Sequence, residues 1–193
     1  MHFEPASSFL LANVAICRGG SRHADAIRHL YRTRDRSLSG AILWQDSNLA
    51  SSRRMPVHTS FIELSTRGNT DVADITASVG DVVQKSGLAS GVGCVFAPGA
   101  TAGITTIEYE PGCIADLVAL FERLAPELAD YEHHRRWGDG NGHSHLRAAL
   151  LGPSLSFPFD SSGPCLGTWQ QIILVDFDNR PRSRVLRVHL VGE

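Results

Sequence analysis

The chain has 193 residues, 42% of them hydrophobic, and a formal net charge of −2 at pH 7. This length suits one domain with an appendage better than two full domains. The sequence contains no apolar run of about 18 residues, which excludes a membrane-spanning helix. The near-zero charge excludes a general electrostatic attraction to nucleic acid or lipid. We therefore expect neither a nucleic acid nor a membrane as the partner.

The charge distribution divides the chain near residue 54. Residues 1–54 hold eight arginines against four acidic residues, whereas residues 55–193 hold ten basic against sixteen acidic residues. The first segment also lacks a sustained hydrophobic period. We predict that residues 1–54 are a poorly structured basic extension, which a start codon assigned too far upstream would explain, and that the folded domain begins at Met55. A basic targeting arm is the alternative.

The four cysteines are widely spaced and form no Cys-x-x-Cys pair. They stand at Cys17, Cys94, Cys113 and Cys165. This spacing argues against a structural zinc knuckle and against a disulfide framework. We interpret them as free thiols and expect the protein in a reducing compartment, the cytoplasm.

Hydrophobic periodicity predicts the elements of the folded part in chain order. A strand over 58–66 is followed by a helix over 71–85, which Asn69 or Thr70 would cap, and by strands over 92–97 and 102–108. A second helix over 114–124 leads into a long polar loop over 126–142. Three or four strands follow, over 143–150, 154–159, 170–177 and 184–191, with an antiparallel meander at the C-terminal end. The predicted class is α+β, a compact mixed or antiparallel sheet with two helices.

Four of the nine histidines lie between residues 133 and 145. In a strand, His143 and His145 would project from the same face, and His133 would fold over them from the preceding loop. Three neutral imidazoles can hold a divalent metal ion and leave an open coordination position. We predict a metal site of His133, His143 and His145, next to Asp139 and Asn141, with Zn²⁺ and Mg²⁺ as the candidate ions. Solvated histidines in a glycine-rich loop are the alternative.

Other polar residues are candidates for binding or catalysis. Glu108, at a strand end, is a general base, a metal ligand or an exposed side chain before a turn. Arg147 continues the face of His143 and His145, where a guanidinium would bind phosphate or carboxylate, although it is also an ordinary surface arginine in a chain with seventeen of them. Trp169, between Thr168 and Gln170, is either core or a wall for a flat ligand.

Several motifs carry a resemblance to a known family. They are Phe61-Ile-Glu-Leu-Ser-Thr-Arg-Gly-Asn-Thr-Asp71, Thr105-Thr-Ile-Glu-Tyr-Glu-Pro-Gly112, Gly140-Asn-Gly-His-Ser-His-Leu-Arg147, Leu150-Leu-Gly-Pro-Ser154 and Gly167-Thr-Trp-Gln170. With these motifs, Met55–Glu193 resembles the YjbQ family of secondary thiamine-phosphate synthase enzymes. The first 54 residues match nothing in that family. Many members carry a histidine where this chain has Gly99, after the segment Phe96-Ala-Pro98, and His143 would then replace it as a ligand.

The resemblance implies a single α+β domain, a homotrimer, and a polar pocket that contains His133, His145 and Glu108. It also implies a weak transferase activity that joins an aminopyrimidine diphosphate to a thiazole phosphate. In this hypothesis His145, Glu108 and Arg147 are catalytic, and Asn141, Thr168, Trp169 and Gln170 bind the small phosphorylated substrate. A metal-dependent hydrolase of unknown substrate and a non-catalytic protein that binds a small molecule or anion are the alternatives.

Overall fold

Eight strands and four helices make up residues 55–193, the part of the chain that the computed structural model describes. The strands are β1 (Val57–Thr66), β2 (Asp71–Asp74), β3 (Ser90–Phe96), β4 (Ala102–Ile107), β5 (Ser154–Asp160), β6 (Gly163–Pro164), β7 (Gln171–Asp176) and β8 (Arg182–Gly192). The helices are α1 (Thr76–Ser86), α2 (Pro111–Leu124), α3 (Glu132–Trp137) and α4 (Gly142–Leu151). The predicted extension over residues 1–54 lies outside the described residues. No helix in the described range is long and apolar enough to cross a membrane.

The strands form two sheets in which every neighbouring pair is antiparallel. The larger sheet has the order β1-β8-β3-β5-β6, and the smaller has the order β2-β7-β4. In β8 the side chains alternate, so that Leu186, Val188 and Leu190 are buried while Arg187 and His189 face outward. This is the period-two pattern of a strand with one face on the core.

Strand β7 lies between two hydrophobic clusters and is buried on both faces. Ile172 and Leu174 pack into the main core with α1 and the larger sheet. Ile173 and Val175 pack into a smaller cluster with Phe121 of α2 and residues of α4. A strand covered on both faces is a continuous apolar run, which is the pattern of residues 172–175. The smaller sheet therefore supports α4 from beneath, and α4 carries part of the candidate site.

The α+β class is confirmed, and most elements lie where the sequence predicts them. The strands that begin near residues 58, 92, 102, 154, 170 and 184 and the helix over 114–124 agree with the structure within a few residues. The helix predicted over 71–85 is partly wrong, because residues 71–74 pair with β7 as a strand. The predicted cap at Asn69 or Thr70 is also wrong, because α1 begins at Thr76, after Ile75. The Asp74 carboxylate accepts the Thr76 backbone N–H at 2.8 Å.

Residues 126–151 differ most from the prediction. The loop over 126–142 contains α3, and residues 142–151, predicted as a strand over 143–150, form α4. The predicted C-terminal meander is also wrong, because β7 belongs to the smaller sheet while β8 lies between β1 and β3. The described residues thus contain four helices rather than the two expected.

Candidate functional site

The candidate site lies where α3 turns back into α4. Gly138 ends α3 with φ +69°, and Gly140 has φ +68°, a conformation that glycine adopts without steric cost. The Nε2 atom of His134 accepts the backbone N–H of Gly142 at 2.9 Å and so satisfies one free donor at the start of α4. The Asn179 side chain donates to the Asp139 carbonyl at 2.8 Å and fixes the loop from the other side.

Two imidazoles meet across this turn. The ring centroids of His133 and His145 are 4.5 Å apart, and the rings stand edge to face at 67°. The Nε2 atom of His133 is 3.4 Å from the Oδ1 atom of Asp139. The structure therefore brings His133 and His145 together, as the sequence predicts, and adds the Asp139 carboxylate to them.

Asn141 completes the cluster from the start of α4. One end of its side-chain amide lies 3.1 Å from His133 Nε2, 3.3 Å from His145 Nε2 and 3.0 and 3.2 Å from the Asp139 carboxylate oxygens. If the amide nitrogen lies at that end, Asn141 donates hydrogen bonds to the histidine nitrogens and the carboxylate. If the amide oxygen lies there, the lone pairs of Asn141, the histidines and Asp139 all face one another. Asn141 is 9% exposed, so its amide is confined to this environment.

The orientation of His145 follows from a backbone contact. Its Nδ1 atom is 2.9 Å from the carbonyl oxygen of Ala100, which precedes β4. A carbonyl oxygen only accepts, so Nδ1 carries the proton, and in the neutral ring Nε2 is left with a lone pair. This is the tautomer in which a histidine binds a metal ion or accepts a proton through Nε2.

A buried ionic network holds the segment around Ala100. The Arg184 guanidinium binds both carboxylate oxygens of Asp176, at 2.6 and 2.7 Å, and donates to the Thr101 hydroxyl at 2.9 Å. Thr101 in turn donates to Asp178, which also pairs with Arg182. Neither this network nor the role of Asp139 follows from the sequence patterns. The available signals were two aspartates at the end of an apolar strand and the position of Asp139 inside the histidine-rich motif.

His143 does not join the pair. Successive residues of a helix point about 100° apart, so His143 and His145 lie on different sides of α4. His143 is 1% exposed, its ring centroid is 6.4 Å from that of Tyr131, and its Nδ1 atom has no hydrogen-bond partner. Burial, followed by the positive charge of Arg147, lowers the pKa of His143 below its usual value. The predicted set of three imidazoles is therefore not assembled in this chain.

Arg147 is also placed differently from the prediction. Its side chain is buried, and it donates to the Ala125 carbonyl at 2.7 and 2.9 Å, to the Thr70 hydroxyl at 2.9 Å and to the Glu122 carboxylate at 2.5 Å. These contacts join α4 to the end of α2 and to the turn before β2. The guanidinium is occupied within the protein and is not presented to a substrate phosphate.

The remaining predicted residues lie at the other end of β4. Glu108 follows this strand and is exposed, and Thr168, Trp169 and Gln170 form an exposed turn beside it, with the Gln170 amide donating to Thr106 at 3.1 Å. His145 contacts Ala100, two residues before the start of β4. The six residues of β4 span about 17 Å at a rise of about 3.3 Å per residue, so a single chain does not bring Glu108 and Trp169 to the histidines.

The chemistry of the cluster is set by its acceptors. Among residues 55–193, no group of three or more histidine, cysteine, aspartate or glutamate side chains is arranged to hold a metal ion. A cation bound by His133, His145 and Asp139 would therefore also need the Asn141 oxygen. Gly99, the position at which the family resemblance implies a histidine in many members, has φ +127° and lies beside Arg184.

Comparison with known proteins identifies one family. Residues 60–193 match the family described as UPF0047 protein YjbQ-like. The chain is similar to a UPF0047 protein of Methanothermobacter thermautotrophicus, 36% identical over 139 residues, which is 72% of this chain and 95% of that protein. It is also similar to YugU of Bacillus subtilis, 29% identical over 132 residues, 68% of this chain and 97% of YugU.

Solved structures give the same result. A YbjQ-like protein of unknown function from Sulfolobus solfataricus superposes with a TM-score of 0.68 at 32% identity, over 72% of this chain and all of that one. A YjbQ/UPF0047 protein from Clostridium acetobutylicum superposes with a TM-score of 0.62 at 32% identity, over 68% of this chain and 98% of that one.

Proposed function

The chain belongs to the YjbQ-like UPF0047 family, and from this premise we propose that it is an enzyme that binds a divalent metal ion through His133, His145, Asp139 and Asn141. The reaction that we propose is the transfer expected from the resemblance, in which an aminopyrimidine diphosphate and a thiazole phosphate give thiamine phosphate and diphosphate. One observation carries the proposal: the two Nε2 atoms, the Asp139 carboxylate and one end of the Asn141 amide converge in one place.

With the Asn141 oxygen toward the cluster, the spacing of these atoms fits the ligands of a bound cation. The contacts of Asn141 with the histidines and Asp139 measure 3.0–3.3 Å, and His133 Nε2 is 3.4 Å from Asp139. Ligand atoms around a tetrahedral ion with bonds of about 2.0 Å are about 3.3 Å apart. A divalent ion, Zn²⁺ or Mg²⁺, would supply positive charge to the leaving diphosphate.

The protein's own residues would orient the reactants. His145 is held by the Ala100 carbonyl with Nε2 toward the cluster, and Asp139 faces His133. The buried Arg147 donates its hydrogen bonds to Ala125, Thr70 and Glu122, so in this proposal it does not bind the diphosphate. A site made of acceptors attracts cations, so these contacts do not favour the non-catalytic anion-binding alternative.

A metal-dependent hydrolase is the second candidate. One contact favours it: the Asp139 carboxylate is within 3.4 Å of the His133 Nε2 atom, so it lies where it would accept a proton from water bound at the cluster. In this candidate Asp139 is the general base, the role predicted from the sequence for Glu108. The bond that would be hydrolysed is not defined by these contacts.

The test of the proposal is an assay of the purified full chain. The protein is stripped with a chelator, reloaded with Zn²⁺ or Mg²⁺, and supplied with aminopyrimidine diphosphate and thiazole phosphate. We expect thiamine phosphate and an equal amount of diphosphate only after reloading, and a loss of more than tenfold in rate in Asp139→Asn. Product formation that is equal in the stripped protein would refute the metal-dependent transferase. Release of inorganic phosphate without thiamine phosphate would support the hydrolase.

We also propose a homotrimer in the cytoplasm. Glu108 and Trp169 lie at the far end of β4 from the histidines, so a neighbouring copy is needed if both groups serve one site. Large apolar side chains are exposed on the strands of the larger sheet, at Val57, Phe61, Val92 and Val185, and would be covered in an assembly. The described cysteines, Cys94, Cys113 and Cys165, are free thiols, which suits a reducing compartment.

A further inference from the structure

Trp137 is an exposed aromatic residue beside the histidine cluster. It ends α3, and 67% of its surface is open to solvent. Residues four apart in a helix lie on the same face, so Trp137 stands next to His133, which faces Asp139 and His145. A large ring exposed beside polar groups that converge on a site is a typical contact surface for a flat ligand.

Arg136 places a positive charge against this ring. Its guanidinium carbon lies 5.8 Å from the centre of the Trp137 ring system, in a cation–π contact. The neighbouring Arg135 is engaged with Asp130 and Glu132. Arg136 has no hydrogen bond or ion pair with any residue of the described range, so its donors are free to meet an anion.

The surroundings of Trp137 and Trp169 differ, and they favour Trp137 as the residue that contacts a ligand ring. Both tryptophans are exposed, at 67% and 71%, but Trp169 lies at the opposite end of β4 from His145 and has no cation–π contact with an arginine within residues 55–193. Within residues 55–193 of one chain, only Trp137 combines a free ring face, an adjacent guanidinium and proximity to the cluster.

We propose that Trp137 and Arg136 form the binding wall of the site for a planar ring compound that carries phosphate. The ligand ring stacks on the open face of Trp137, and the phosphate group ion-pairs with Arg136. This inference rests on the proposed function of the histidine cluster and deepens it, because it names the substrate class and the residues that select it. Sequence analysis had given these two roles to Trp169 and Arg147.

The experiment measures binding to the full chain with two probes, aminopyrimidine diphosphate and inorganic diphosphate, by calorimetry. We expect Trp137→Leu to lower the affinity for aminopyrimidine diphosphate about tenfold, because the ring of this probe stacks on Trp137. The affinity for inorganic diphosphate, which has no ring, should not change. Trp137→Phe should restore most of the affinity. Arg136→Gln should lower the affinity for both probes by the same factor, because both carry phosphate. The control Arg123→Gln, which removes an exposed arginine of α2 outside the cluster, should change neither affinity.

Fluorescence gives an independent measurement. In the double variant Trp44→Phe, Trp169→Phe, Trp137 is the only tryptophan of the chain, and its emission should be quenched by the ring compound. Binding by calorimetry with unchanged emission, or full affinity in Trp137→Leu, would overturn the inference and leave the proposed function standing. Failure of the wild-type chain to bind the ring compound would overturn both.

Discussion

The Nδ1 atom of His145 lies 2.9 Å from the carbonyl oxygen of Ala100, 45 residues earlier in the chain. This contact connects α4 to the segment before β4, and it leaves Nε2 as the atom that faces His133, Asp139 and Asn141. The ionic network of Arg184, Asp176 and Thr101 holds that segment in place. The reactive face of His145 is thus set by residues far from it in sequence.

Replacement of His145 tests the metal site. We expect the wild type to bind a divalent metal ion and His145→Ala to stay folded but not to bind it, because one of the two imidazole Nε2 atoms of the cluster is then missing. Elemental analysis at matched protein concentration measures the metal content. His189→Ala is the control: His189 is an exposed residue of β8 that contacts Thr59 at 3.1 Å, outside the cluster. Equal metal content in the wild type and His145→Ala would remove the metal hypothesis.

Arg147 is expected to act on stability. Arg147→Met should lower the free energy of unfolding by about 2–4 kcal/mol, because it leaves the buried Ala125 carbonyl and the Thr70 hydroxyl without their donor. Urea unfolding measures the change. Arg135→Met, which removes an exposed pair with Glu132, should cost less than about 1 kcal/mol. A variant at position 147 that is as stable as wild type yet inactive would favour the substrate-binding role instead.

Gly142 is required by the packing of Tyr131 against α4. A Cβ atom at position 142 would lie 2.7 Å from the Cβ atom of Tyr131, so Gly142→Ala should separate α3 from α4 and destabilise the protein by about 1–3 kcal/mol. In contrast, Gly80→Ala in α1 meets nothing closer than 3.9 Å and should stabilise by about 0.5–1 kcal/mol. Thermal unfolding of both variants checks this; melting temperatures that shift in the same direction would contradict it.

The buried Asp176 carboxylate makes stability depend on acidity. Burial raises its pKa, but hydrogen bonds from Arg184, Thr66 and the Asp178 backbone outweigh burial, and the net pKa is lowered. The stabilisation is therefore complete above the unfolded pKa of about 3.9 and is lost as pH falls through the lower folded value.

We expect Asp176→Asn to be less stable than wild type at pH 7, with a difference that shrinks between about pH 5 and pH 2 as the wild-type carboxylate becomes protonated. Urea titrations at several pH values measure this difference. Asp81→Asn, which removes an exposed carboxylate 3.9 Å from Lys85, should follow the wild-type profile. If the difference in the free energy of unfolding between wild type and Asp176→Asn stays constant with pH, ionisation of Asp176 does not contribute to stability as expected.

The fragment Met55–Glu193 is expected to fold and to assemble. Both hydrophobic clusters lie within it, and the match over this region covers 95% of the Methanothermobacter thermautotrophicus relative. Circular dichroism should show a cooperative transition, and light scattering at micromolar concentration should give three times the mass of one fragment chain. A monodisperse monomer that keeps full activity would refute the shared site, and an insoluble fragment would place the domain boundary further upstream.

Local sequence patterns were sufficient to predict the strands and helices that bury one face. Strands β1, β3, β4, β5 and β8 and helix α2 follow from alternation, from i, i+3, i+4 spacing and from Pro-Gly turns, because these patterns report the burial of one face directly. The pairing of His133 with His145 also followed from their density in one glycine-rich motif, although for the wrong reason, since their segments are helical.

The tertiary structure decided which polar residues serve the site. The pattern Gly-His-Ser-His-Leu-Arg is compatible with strand and helix, and only the packing of α4 on β7 and the contact of His134 with Gly142 select the helix. That selection turns His143 into the interior, commits Arg147 to Glu122 and leaves His145 facing Asp139 and Asn141. The sequence alone determined the family, the α+β class and the segment that carries the candidate site residues. The directions in which the side chains of these residues point depend on contacts between distant segments, which no local pattern encodes.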